Sequence, residues 1–265
     1  QKRTTFNESW KSVSRMLEHL HSEEFLSHHL DTFNNKWHYN WFCLDHVGFT
    51  GSNPRMRDSG DHKVFDFYSE FVNKTGMGSI QWHYHPLPIN GHFNSSGTTY
   101  LNSSNIWEIL CKKIIERNWF PASFRPGFHL ERPDVNWFLE QWIPFDFANQ
   151  SIDGIDTDQP DLSNGRYGDW RRAPSDWSIY NPSHDDYQVP GNSRRHIARC
   201  LNMEARLREL TQKDVDQAFK RVQDGDSTIL SFTNHDFRDM TPEIEKVSEM
   251  IKKSSKKYPE VNYKF

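Results

Sequence analysis

The chain has 265 residues, a formal charge of −4 and 26% charged residues. That length exceeds the usual domain size but suits one closed α/β barrel, and Lys and Arg are too scattered to form the basic face that nucleic-acid phosphates demand. No apolar run approaches the roughly eighteen residues that a membrane-spanning helix needs, so no membrane span is expected either.

Aromatic side chains make up 14% of the chain and much of its apolar volume. Such rings build either a core or a platform for sugars. The three cysteines, Cys43, Cys111 and Cys200, are odd in number and widely spaced, with Cys43 and Cys111 in predicted core elements. That pattern argues against a disulfide framework and fits a reducing, cytoplasmic setting. The chain begins at Gln1 rather than Met, which leaves a removed or omitted leader open.

In chain order, Trp10, Val13, Leu17 and Leu20 recur at helical spacing, and an aromatic strand-like run follows from His38 to Leu44. A helix is predicted over Val64 to Val72, ending at Gly76 and Gly78, and then a strand from Ser79 to His83. Asn105 with Glu108 has the form of a capping box, continued by the stripe Ile106, Leu110, Ile114. A strand near Ala122 to Phe124 precedes Arg125-Pro126-Gly127, a helix is expected from Pro133 to Trp142, and a strand from Phe145 to Ala148. Residues 150–192, rich in Asp, Gly, Pro, Ser and Trp, read as irregular loops with short strands. Thr211 caps a helix ending at Gly225, Thr228 to Phe232 reads as a buried strand, and Thr241-Pro242-Glu243 opens a last helix with Ile244, Val247 and Ile251 inward. Outside 150–192 strand and helix alternate, as in a parallel sheet or barrel, so a single domain over 1–265 is expected.

Three segments place an apolar run directly before His or Asp: Phe42 to His46, Ile80 to Pro86, and Ile229 to Asp236. Parallel α/β folds gather reactive side chains where strands end, so these positions can converge. His83 and His85 occupy i and i+2 of a strand and point to one face, where both imidazoles can reach one metal ion. Asp45-His46 adds a carboxylate and an imidazole, enough for a general base and a ligand, and His235-Asp236 adds an acid with an orienting partner. Standing alone, the His83–His85 pair reads first as hydrogen-bonded or solvated histidines and the other two motifs read as readily that way as catalytic, and their shared position at strand ends favours a metal-dependent hydrolase.

These segments, in this order, resemble the polysaccharide deacetylases of the NodB-like, carbohydrate esterase family 4 type over most of the chain. The resemblance implies a distorted (β/α) barrel that removes N-acetyl groups from an amino sugar or polysaccharide with one divalent metal, zinc first, in bacterial-type surface polysaccharide synthesis. Asp45 then stands at the catalytic base, His46 at a metal ligand, His83-Tyr84-His85-Pro86 at the histidine metal motif, and Phe124-Arg125-Pro126-Gly127 at the segment whose arginine braces the base. Asp169-Trp170, or Asp176-Trp177, resembles the segment walling the pocket, and His235 the residue that protonates the leaving amine.

The chain departs from the family pattern twice, with His46 in place of an Asp and Leu87 where a second metal histidine usually stands. The ligand set His46, His83 and His85 with Asp45 as base repairs this most simply. Asp45 on the metal, or a site that has lost its metal, remain open. Trp82, Asp169, Trp170, Trp177 and Tyr180 are the candidate substrate contacts, and Asp236 and Arg238 the candidates for orienting His235. Two other functions fit the same residues: a catalytically silent carbohydrate-binding domain, and an amidohydrolase, disfavoured because that class carries HxH on its first strand.

Overall fold

The alternation of strand and helix becomes, in the computed structural model, a six-stranded parallel sheet whose strands lie side by side in chain order. The structure describes residues 6–46, 63–85, 104–153, 168–203 and 209–265. Strands β1 (Asn40–His46), β2 (Ser79–His85), β3 (Ser123–Pro126), β4 (Phe145–Asn149), β5 (His196–Asn202) and β6 (Ser231–Thr233) curl into half a barrel. The curl is visible in one contact: the rings of Phe42 on β1 and Phe147 on β4 meet at 6.0 Å. Strands three places apart in a flat sheet would lie about 14 Å from one another. The fold is thus α/β and compatible with a (β/α) barrel.

Helices cover the convex face. α1 (Trp10–Leu20) starts at a reciprocal Ser9–Ser12 capping box and buries Val13, Met16, Leu17 and Leu20. α2 (Glu23–Ser27) is a single turn capped by Ser22. α3 (Lys63–Thr75) buries Phe65 and Tyr68 against β1, and α4 (Ser104–Arg117) and α5 (Pro133–Leu139) carry Ile106, Leu110 and Leu139 onto Trp82, Tyr84 and Phe124. α6 (Gln212–Gln223) starts at a Thr211–Asp214 capping box, and α7 (Thr241–Lys257) carries Ile244, Val247 and Ile251 inward.

Several expectations shift on this frame. The first strand begins two residues later than His38 and runs on to His46. Asn105 lies inside α4 rather than at its cap. The last strand shrinks to Ser231–Thr233 and is half-buried, not buried. Cys111 is exposed instead of in the core, while Cys43 and Cys200 are buried, and all three thiols are free. Two elements were unanticipated, α2 and the buried strand β5. Within 150–192, residues 154–167 lie outside the described residues, and 168–192 form turns tied by isolated bridges such as Tyr180 to Ile197 and Pro182 to Pro190. No helix among the described residues is long and apolar enough to cross a membrane.

Candidate functional site

Register decides which side chains meet. Leu44 pairs with His83, Asp45 with Tyr84, and His46 with His85. Because paired residues on parallel strands share a face and neighbours alternate, His83 and His85 lie on the concave face while Asp45, Trp82 and Tyr84 lie on the helix-covered one. The side chain of His46 falls outside the described residues.

His83 is 8% exposed and its Nδ1 lies 2.6 Å from the Arg125 carbonyl oxygen, which can only accept. That bond places the proton on Nδ1 and leaves the Nε2 lone pair directed away, the arrangement of a metal-ligating imidazole with its outer hydrogen bond. Burial, then the Arg125 charge, pushes the His83 pKa down to about 3 against the pull of that backbone bond, so the ring is neutral. Its Nε2 stands 3.1 Å from Nε2 of His85, and the two rings meet edge to face. Two nitrogens at zinc distances on one tetrahedral ion lie about 3.3 Å apart, so this donor pair fits a shared cation. Among the described residues no group of three or more His, Cys, Asp or Glu side chains could hold a metal ion. In the strand register His46 stands opposite His85.

The turn after β3 closes one side of this pair. Gly127 lies directly beneath His85, where any Cβ would stand 2.5 Å from the ring, and the Phe128 ring meets His85 at 4.8 Å. Arg125, 5% exposed, donates from Nη2 to Nε2 of His129. His129 is itself buried, and burial followed by the Arg125, His83 and His235 charges holds its pKa far below the ordinary value. His235 is exposed on the turn after β6, and its charge is felt at both His83 and His129, which puts all three imidazoles in one neighbourhood. Its backbone N–H is held by Asn234 and its ring packs on Phe237.

Other expected members stand elsewhere. The Asp45 carboxylate accepts from Lys113 Nζ at 2.8 Å and from Trp82 Nε1 at 3.0 Å, so the expected pairing of Arg125 with Asp45 is not formed. The physical reason is the strand's alternation, which turns Asp45 toward α4 and away from the face that carries Arg125's partners. Asp236 accepts from the Tyr68 hydroxyl at 2.8 Å, and Arg238 lies over the Phe237 ring. Trp82, Trp170, Trp177 and Tyr180 are at most 6% exposed, so none offers a ring face to a sugar. Their polar atoms are turned inward: Trp170 Nε1 donates to the His129 carbonyl, Trp177 Nε1 to the Asp214 carbonyl, and the Tyr180 hydroxyl to the Tyr187 carbonyl. Asp169 is different. It holds Arg171 through both oxygens and, with Leu130, Glu131, Arg132, Pro133 and Tyr187, lines a cleft of about 440 Å³.

Sequence reasoning missed His129 and Lys113. The second was legible, because a lysine at position i+7 from Ile106 and i+3 from Leu110 falls on the apolar stripe of α4, where a cation needs a partner. His129 had no such signal, since its place depends on the backbone of the turn.

Fold and site together define an α/β protein built on a curled parallel sheet, with neutral histidines and a buried arginine gathered at the carboxyl ends of its strands. No family model, curated protein or solved structure matches the chain.

Proposed function

We propose that this protein is a metal-dependent hydrolase of the NodB-like polysaccharide deacetylase type, on a distorted (β/α) barrel, removing N-acetyl groups from an amino sugar or polysaccharide. One observation carries the proposal: two imidazoles with Nε2 atoms 3.1 Å apart, one fixed by its Nδ1 in the ligating tautomer, at the rim of a parallel sheet. His83, His85 and His46 would hold a zinc-like ion. Such an ion would acidify water and polarise the amide carbonyl.

The chain's own residues then do the following. The Arg125 guanidinium, buried beside His83, supplies positive charge for the oxygen on which negative charge develops. His235, exposed at the same rim, takes the proton of the attacking water on an imidazole nitrogen and returns it to the departing amine. Proton acceptance falls to His235 rather than Asp45, whose carboxylate Lys113 and Trp82 hold on the covered face. The cleft bounded by Asp169 and Tyr187 has the volume of a small-ligand site and would seat a further sugar ring of the polymer.

A second proposal, a sugar-binding domain of the same fold without catalysis, draws on that same engagement of Asp45. Elemental analysis of protein purified without chelators or an affinity-tag metal separates the two. About one zinc-like ion per chain, lost in His83→Ala, together with acetate release from an N-acetylglucosamine oligomer, is the expected result. A metal-replete preparation that holds no ion sinks the hydrolase and leaves the binding domain.

A further inference from the structure

Phe128 and His129 are consecutive residues in the left-handed backbone region, with φ of 54° and 51°. Neither is glycine, so the pair is strained, and such strain persists only where the surroundings over-determine it. Here they do. Gly168 N–H donates to the Phe128 carbonyl at 3.1 Å and Trp170 Nε1 to the His129 carbonyl at 2.9 Å. Gly168 is pressed so close that a Cβ would stand 2.0 Å from the His129 oxygen, and a Cβ on Gly127 would stand 2.5 Å from the His85 ring. The consequence is the position of one ring: His129, 4% exposed, meets Arg125 Nη2 through its Nε2 at 2.5 Å.

A guanidinium has donors only. Nε2 of His129 therefore carries the lone pair, and the ring is a neutral acceptor. Arg125 is thus fixed at both ends, its carbonyl by His83 and its side chain by His129. We propose that His129 is a positioning residue, which aims the Arg125 guanidinium at the substrate oxygen beside His83 and is itself set by the Gly168–Trp170 clamp. This rests on the hydrolase proposal for the purpose of the aim, though not for the contact. Burial and the surrounding positive charge keep His129 from protonating and breaking that contact.

Two variants test it. His129→Phe keeps a ring and removes the acceptor, whereas His129→Gln retains an acceptor oxygen. On an N-acetylglucosamine oligomer, kcat of the Phe variant should fall about ten- to hundred-fold with KM and zinc affinity near wild type, and the Gln variant should recover most of the loss. Nitrogen NMR of the substrate-free protein supplies a readout apart from turnover. The Arg125 N–H protons should exchange slowly in the wild type and the Gln variant and fast in the Phe variant. Unchanged Arg125 exchange in His129→Phe overturns the positioning role whether or not the protein hydrolyses anything. A wild type without turnover, but with slow Arg125 exchange that the Phe variant abolishes, overturns the hydrolase proposal and supports the contact. If His129→Phe does not fold, Gly168→Ala displaces the turn from outside and should speed Arg125 exchange in the same way; slow exchange there counts against the clamp.

Discussion

At the scale of single residues, the most heavily loaded point outside the rim is Arg195. Its Nη2 donates to Asp146 at 2.6 Å and its Nη1 to Asn136 at 2.8 Å, and Glu131 approaches Nη1 at 3.6 Å, all with side chains out of water. Two carboxylates share one guanidinium, and among the described residues neither Glu131 oxygen has a hydrogen-bond partner of normal geometry. The Asp146 carboxylate lies beside Glu131, which favours a proton on the Glu131 carboxyl. Burial first and the Asp146 charge second raise the Glu131 pKa well above its ordinary 4.5, with Arg195 opposing, and Tyr180 and Tyr187 also face the pair. The sign follows from proton linkage. A carboxyl whose folded pKa is raised binds its proton more tightly in the native state, so its stabilising share is full below pH 4.5 and is lost as pH rises through the folded pKa. Glu131→Gln should therefore raise the urea midpoint at neutral pH and flatten the fall in stability between acid and neutral pH. A variant with the wild-type pH slope would remove Glu131 from this account.

At the scale of elements, the β1–α4 seam shows what a strand's alternation decides. Asp45 and Lys113 form an ion pair with side chains 10% and 1% exposed, and the ammonium also lies over the Phe65 ring at 4.6 Å. Removing one partner of such a pair leaves an uncompensated charge, typically at a cost of about 3 kcal/mol or more. Asp45→Asn should lose about that much in chemical denaturation while keeping zinc and turnover, and Lys113→Met in the same background should recover much of it. If instead the variant is as stable as wild type and turnover vanishes, Asp45 is the base and His235 is not. The seam also marks what the sequence makes legible. Helices α1, α3, α6 and α7 follow from apolar spacing with caps such as Thr211–Asp214, and β2 and β4 from short apolar runs between breakers. His83 and His85 follow from period two alone. β5 escaped notice because Arg195 and Arg199, fully buried through Asp146 and Asp214, make its neighbourhood read as polar. The face of Asp45 escaped because a residue that closes a strand reads equally well as pointing to either side until its register with β2 is known.

At the scale of the whole molecule, the sheet pairs β1 only with β2 and β6 only with β5 among the described residues, and contacts other than strand pairing reach from the chain's ends to the segments flanking these two strands. At the carboxyl end, Phe265 packs on Trp37 and its N–H donates to Asp31. Near the amino end, Phe6 bridges Arg238, and Asn7 accounts for three carbonyls of the turn after β6: its backbone N–H donates to Phe237, and its side-chain amide donates to Asp236 at 2.9 Å and Arg238 at 3.0 Å. That turn carries His235, whereas His83 and His85 ride on β2 and do not depend on it. The two halves of the proposed site are thus supported by different parts of the chain and should come apart under one substitution. Asn7→Ala strips the side-chain bonds, at about 1–3 kcal/mol for the carbonyls left unsatisfied. Amide exchange over residues 235–238 should speed up and kcat should fall, with zinc content unchanged. Faster exchange without any loss of turnover would mean that the proton passes through a group other than His235, because no imidazole on a loosened turn can keep the geometry that proton transfer needs.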